Sequence, residues 1–242
     1  MGYQSGQLCI AKSVPTVEPV GLKRFNISLL IETTLVTIAA ILAIRFFTAS
    51  FISRATWLVS PGIFIAAALI PTAIRKAEFP KIGLNIRQIV PTVLVVCRTC
   101  VVVFSALFAG LWLLRSYGLG LPLQPVPPTE QGWFSWLFYQ FMYVAVAEEL
   151  FFRGYVQGNI LKMINPGKDD QYRFGKWLSI VLSAACFAVA HIIVQGRIAL
   201  LLTFLPGLVL GWLFIRTKSL LAPILFHGLA NTCYCLMAFV FT

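Results

Sequence analysis

Residues 147–155 read Ala-Glu-Glu-Leu-Phe-Phe-Arg-Gly-Tyr and place three ionisable side chains in a segment that otherwise has the composition of a membrane-buried helix. Each such side chain costs about 2.5–3.5 kcal/mol at the centre of a membrane helix, so the three together cost about 9 kcal/mol before any pairing. Glu149 and Arg153 are four residues apart on one helix face, where they can form an ion pair. Glu148 points about 100° away from Glu149 and remains as a carboxylate available for other work. The sequence therefore marks this segment as a candidate site within a membrane helix.

The composition of the chain is that of an integral membrane protein. Of 242 residues, 59% are hydrophobic and only 11% are charged, which excludes a typical soluble domain. The net charge of +11 comes from basic residues between apolar runs, where they set topology and meet lipid headgroups. We therefore expect these basic residues to interact with the lipid bilayer and not with nucleic acid.

Seven apolar segments are each close to the roughly twenty residues needed to cross a hydrocarbon core. The sequence therefore predicts an all-α polytopic membrane protein with about seven transmembrane helices, six to eight being compatible with the pattern. The predicted spans are 27–48, 55–75, 89–114, 133–161, 177–196, 198–215 and 220–241. The predicted divisions are a polar tail at 1–24, three N-terminal helices within 25–115, a Pro- and Gly-rich loop at 116–132 and a helical core at 133–242.

Lysine and arginine are concentrated in alternate connections between these spans, thirteen residues against three. By the positive-inside rule, this alternation predicts a cytoplasmic N-terminus and a C-terminus on the opposite side of the membrane. Arg98 lies within the third predicted span, and Glu32 in the first is an available partner for an ion pair.

The chain contains only two histidines, His191 and His227, and both lie within predicted spans. A single buried histidine is more often a hydrogen-bonded helix contact, but two on different helices beside a glutamate pair favour a reactive site. Asn231 follows His227 by four residues and shares its helix face. If these groups meet Glu148, a carboxylate and an imidazole can activate a water as general base. The second imidazole and the amide can then stabilise an oxyanion.

Three motifs resemble those of the type II CAAX prenyl endopeptidases and their bacteriocin-processing relatives, a family of intramembrane glutamic proteases. They are Glu-Glu-Leu-Phe-Phe-Arg at 148–153, Phe-Ala-Val-Ala-His at 187–191 and His-Gly-Leu-Ala-Asn at 227–231. The resemblance covers about residues 133–240. It implies an intramembrane glutamic endopeptidase that hydrolyses a peptide bond in a membrane-associated protein or peptide substrate.

The resemblance also implies a role for each of six polar side chains. Two would activate the water, two would form the oxyanion site, and two would orient the assembly, with Phe187 packed beneath the first histidine. In that order the pairs are Glu148 with His191, His227 with Asn231, and Glu149 with Arg153.

Three other functions are compatible with parts of this pattern. Two histidines and a glutamate can form a zinc site, but the chain has no His-Glu-x-x-His pair and the family resemblance implies a metal-independent mechanism, so we expect no metal or other cofactor. A non-proteolytic binding or regulatory member of the family is a second alternative. A proton-coupled transporter that uses the glutamates and histidines as a relay is a third.

Overall fold

The computed structural model describes residues 26–50, 56–78, 86–120, 123, 132–164 and 169–241. All regular secondary structure in these residues is helical, as the all-α prediction requires. The predicted tail at 1–24 and most of the predicted loop at 116–132 lie outside the described residues.

The described chain forms seven consecutive helical rods, which we number α1 to α7. Rod α4 changes its winding several times, and α6 begins with a short 3₁₀ segment, Ile198–Thr203. The bounds are α1 Ile27–Ser50, α2 Thr56–Ile74, α3 Ile86–Ser116, α4 residues 132–164, α5 Asp169–Gln195, α6 residues 198–217 and α7 Leu221–Phe241.

Within the described residues, five helices are long and apolar enough to cross a membrane. They are Ile27–Ser50, Gln88–Ser116, Arg173–Gln195, Ile198–Thr217 and Leu221–Phe241. The apolar helix Leu58–Ile74 is shorter, and α4 is not one uninterrupted α-helix. The helices therefore agree with an integral membrane protein, while the number of seven spans stays a prediction.

Rod α4 is the central element of the packing. Its buried rings Phe151 and Phe152 lie 5.1 and 5.3 Å from the ring of Phe64 on α2. On the other side, Phe152 meets Phe187 of α5 edge-on at 5.1 Å. By contrast, α3 exposes large apolar side chains such as Val101 along its length, as expected for a surface that faces lipid. The reactive motifs are thus carried by the rod that the other helices enclose.

Two π-helical segments, Gln140–Ala145 and Leu150–Gln157, flank the short α-helical segment Val146–Glu149. A π-turn closes its hydrogen bond over five residues instead of four, and such turns occur often at functional sites. The paired glutamates therefore lie where α4 changes its winding. The uniform periodicity assumed for this span does not hold in the structure.

The expected pair between Glu32 and Arg98 is wrong. Glu32 lies 3.1 Å from Nε of Arg75, at the end of α2, and accepts a 2.9 Å hydrogen bond from the hydroxyl of Tyr155. Helix α1 packs against α2 and α4, whose ends bring these partners to Glu32. Arg98 instead lies exposed on α3.

Candidate active site

Glu148 lies between the two imidazole rings of the chain. Its Oε2 atom is 3.9 Å from Nε2 of His191 on α5 and 3.8 Å from Nε2 of His227 on α7. The side chains of Glu148 and His191 are 16% and 18% exposed, so the cluster is shielded but still accessible. The structure thus brings together three side chains from three helices that are far apart in the sequence.

Glu149 connects His227 to Arg153. Its Oε1 atom is 2.8 Å from Nδ1 of His227, and its Oε2 atom is 3.1 Å from Nε of Arg153. The latter two atoms are close but not aligned for a hydrogen bond, so the contact is an ion pair without that additional geometry. The side chains of Glu149 and Arg153 are fully buried, so dissolved salt screens their attraction only weakly.

The partners of the two rings determine which nitrogen carries a proton. Nδ1 of His191 is 2.9 Å from the carbonyl oxygen of Phe187, which only accepts, so Nδ1 carries the hydrogen. Nε2 of a neutral His191 then presents a lone pair towards Glu148. Nδ1 of His227 likewise faces a carboxylate oxygen of Glu149. Both Nδ1 atoms are thereby engaged, and both Nε2 atoms face the same carboxylate.

Two glycines of α6 allow this helix to pack closely against α5 and α4. Gly207 and Gly211 are four residues apart, and their carbonyl oxygens accept hydrogen bonds from Arg153 Nη2 at 3.2 Å and Gln157 Nε2 at 3.1 Å. An added Cβ would lie 3.1 Å from Ala184 at the first position and 3.1 Å from Gln157 at the second. This small-x-x-x-small spacing is the signal in the sequence that could have indicated the contact.

Asn231 lies one turn beyond His227 on α7, and its amide is held by a residue that sequence reasoning missed. Nδ2 of Asn231 donates a 2.9 Å hydrogen bond to Oε1 of Gln140. Gln140 is the first residue of a π segment of α4. Gln140 lies two turns before Glu148 on the same side of an α-helix, but its contact with Asn231 depends on how α4 packs against α7, which spacing along one helix does not determine.

Residues 130–233 match the family model described as Type II CAAX prenyl endopeptidase Rce1-like. The match includes all three motifs and extends from the start of α4 into α7. This helical core is similar to the Rce1-like endopeptidase family. The resemblance inferred from the motifs is therefore confirmed. No curated protein and no solved structure gives a significant match.

Within this Rce1-like core, the ring of Phe187 packs against both histidines and the buried arginine of the candidate site. Its ring centroid is 4.3 Å from that of His191 and 5.9 Å from that of His227. The guanidinium carbon of Arg153 lies 4.7 Å from the same ring on the side of the buried pair. Phe187 is thus in contact with both imidazoles and the buried cation, rather than with His191 alone, and this packing limits their movement.

Proposed function

We propose that this protein is an intramembrane glutamic endopeptidase that hydrolyses a peptide bond in a membrane-associated protein or peptide substrate. The observation that carries the proposal is the position of the Glu148 carboxylate between two imidazole Nε2 atoms, at 3.9 and 3.8 Å. The similarity of residues 130–233 to the Rce1-like family supports a peptidase of CAAX type.

Glu148 and His191 are close enough for one water molecule, placed to one side of the line between them, to contact both. A separation of 3.9 Å is too long for a direct hydrogen bond, and a water between the two groups reaches both. Oε2 of Glu148 is buried and makes no hydrogen bond to the described residues, which is costly for a carboxylate oxygen unless a reacting group becomes its partner. Glu148 and the Nε2 lone pair of His191 together act as the base for this water.

His227, unlike His191, is suited to donate a hydrogen bond to the substrate. The two carboxylates of the site carry two negative charges, and Arg153 compensates one of them. A protonated His227 compensates the other, and its Nδ1–H remains bound to Glu149. Nε2–H of this imidazolium is then a charged donor for the oxyanion of the substrate.

Asn231 provides the second donor. Its amide carries two N–H groups, of which one is bound to Gln140. The other is available for the same oxyanion. Gln140 fixes the orientation of the amide, so that its nitrogen, and not its oxygen, is the atom presented.

The reaction follows from these positions. The water oxygen bonds to the carbonyl carbon while Glu148 takes a proton, and the carbonyl oxygen becomes an oxyanion beside His227 and Asn231. Collapse of this intermediate breaks the C–N bond, and Glu148 returns its proton to the leaving amine. The carboxylate is restored, and no covalent bond to the enzyme is formed.

Zinc is the main mechanistic alternative, and it would require the side chains of the site to move closer together. Tetrahedral zinc with nitrogen and oxygen ligands at about 2.0–2.2 Å holds neighbouring ligand atoms about 3.4 Å apart. The two observed separations from Glu148 are 3.8 and 3.9 Å. No group of three or more His, Cys, Asp or Glu side chains within the described ranges has the geometry to hold a metal ion.

The test uses purified protein and a quenched fluorescent peptide that ends in a farnesylated CAAX sequence. We expect Glu148→Gln to lower kcat about 10³-fold, the scale of a lost general base, while the apparent Tm stays unchanged or rises. A Glu148→Gln variant that cleaves as fast as wild type contradicts the mechanism. Loss of activity with 1,10-phenanthroline and its recovery with zinc supports the zinc alternative, and a wild-type protein that binds but never cleaves supports the regulatory one.

We further propose the orientation that the charge distribution indicates, with a cytoplasmic N-terminus and a C-terminus on the opposite side. Reporter fusions to the two termini test it. Fusions with the same accessibility at both ends contradict an odd number of spans.

A further inference from the structure

A groove on the lipid-facing side of the molecule separates α3 from α5 and α6. It has a volume of about 480 Å³, and its lining is almost entirely apolar. Val102 of α3 is 68% exposed, and Trp177 of α5 and Trp212 of α6 are 59% and 38% exposed. The polar exceptions among the lining residues are Thr99 and Arg98, and Arg98 is an exposed cation within the first half of its span.

Arg98 needs a partner that the described protein does not provide. It makes no hydrogen bond or ion pair within the described part of the chain, and Glu32 is bound to Arg75 instead. An arginine near an anionic membrane surface gains about 1 kcal/mol from lipid headgroups. An anionic group in the groove would give Arg98 the partner that the described protein lacks.

The depth of Arg98 suits a lipid headgroup. At about 1.5 Å per residue, α3 is about 46 Å long and Arg98 lies about 18 Å from its start, against a hydrocarbon thickness of about 30 Å. In a centred helix the Cα atom of Arg98 is therefore about 10 Å below the boundary of the hydrocarbon. Helical side chains lean towards the N-terminus of their helix, so the guanidinium reaches up to headgroup level.

The two tryptophans lie at the same end of the molecule. Arg115 at the end of α3 donates a 2.7 Å hydrogen bond to the carbonyl of Phe241 at the end of α7, so α3 and α7 run in the same direction. Short connections make α6 antiparallel and α5 parallel to α7. Trp177 near the start of α5 and Trp212 near the end of α6 therefore flank the level of Arg98. Tryptophan is typical of this interfacial level.

We propose that this groove binds a phospholipid, with its phosphate on Arg98 and an acyl chain along the apolar wall. A guanidinium binds phosphate through paired N–H donors. The indole N–H groups of Trp177 and Trp212 are suited to the lipid's ester oxygens. Charge complementarity selects the phosphate, and the apolar lining selects the chain.

The bound lipid would also stabilise the packing of α6 against α4 next to the candidate active site. Leu208 and Val209 line the groove directly after Gly207, whose carbonyl accepts the hydrogen bond from Arg153. A lipid packed against this part of α6 limits its movement away from α4. Occupancy therefore raises the stability of the whole core.

Native mass spectrometry of the full-length protein with phosphatidylglycerol tests the proposal. We expect Arg98→Gln to retain lipid about tenfold less tightly than wild type, equal to about 1.4 kcal/mol. Val102→Trp fills the groove and should abolish retention without loss of charge. Arg45→Gln is the matched control, because Arg45 is another exposed arginine within a predicted span but lies outside the groove.

Three further results would decide the matter. Inorganic phosphate alone should not raise the apparent Tm of wild type, whereas the lipid should raise it. Equal lipid retention by wild type and Arg98→Gln, or an equal effect of free phosphate, overturns the proposal. A dimer that Val102→Trp disrupts would show that a second copy occupies the groove, and it would also overturn the proposal.

Discussion

The buried pair between Glu149 and Arg153 should dominate the stability of the core. Replacing Glu149 with Gln keeps an oxygen that accepts from His227 but leaves the guanidinium of Arg153 without its counter-charge. The pair is 3.1 Å apart and fully buried. At an effective dielectric constant of about 20, charges at this distance attract by about 5 kcal/mol. Removing one partner of a buried pair typically costs about 3–5 kcal/mol.

This free energy predicts a large change in thermal stability. For a chain of this size, about 1 kcal/mol corresponds to about 2–4 °C, so Glu149→Gln should lower the apparent Tm by about 10 °C. Glu32→Gln is the matched control, because Glu32 also pairs with an arginine, but the two side chains are 29% and 25% exposed. A pair of this exposure contributes about 1 kcal/mol or less, so the control should lose only a few degrees.

A double variant separates lost pairing from general damage. Glu149→Gln combined with Arg153→Met removes both charges, and a buried pair replaced by apolar groups often costs little. We therefore expect the double variant to be more stable than Glu149→Gln alone, as measured by thermal unfolding in detergent. Strictly additive losses, or equal Tm values for Glu149→Gln and Glu32→Gln, would refute the reasoning.

Two more substitutions test the site and the packing. Gln140→Leu should lower kcat about tenfold with little change in KM, because the amide of Asn231 loses its acceptor. Gln140→Glu keeps an acceptor oxygen and should retain most activity. Equal kinetics of the two variants would argue against a positioning role for Gln140. Gly228→Ala should lower the apparent Tm by several degrees because its methyl group overlaps the ring of Phe141, whereas Gly110→Ala has open space and should leave the Tm unchanged or raise it. A stable Gly228→Ala variant would show that the ring moves aside.

The class of the fold could be predicted from the sequence because each membrane-spanning helix is one contiguous apolar segment of the chain. Six of the seven predicted spans coincide with one continuous helical rod each, and α4 is the rod with altered winding. The pair between Glu149 and Arg153 was also predictable, since residues four apart are neighbours on a helix. Local spacing is enough for features of this kind.

Contacts between helices were not predictable in the same way. Glu32 was assigned to Arg98, but the packing of α1 against α2 places Arg75 beside it. Gln140 was missed because its contact with Asn231 joins α4 to α7, and spacing along α4 does not show which residues face α7. The grouping of Glu148 with the two histidines followed from family motifs, since depth along separate helices does not determine which faces meet.

The altered winding of α4 has a consequence for how the chain tolerates changes in length. A π-turn holds one residue more than an α-turn without changing the phase of the helix on either side. Deleting one residue from an ordinary helix rotates everything that follows by about 100°. Deleting one from Leu150–Gln157 can instead be absorbed by a return to α-winding, so that flanking side chains keep their directions. Proteins that are one residue shorter at this point can therefore present the same reactive groups to the same neighbours.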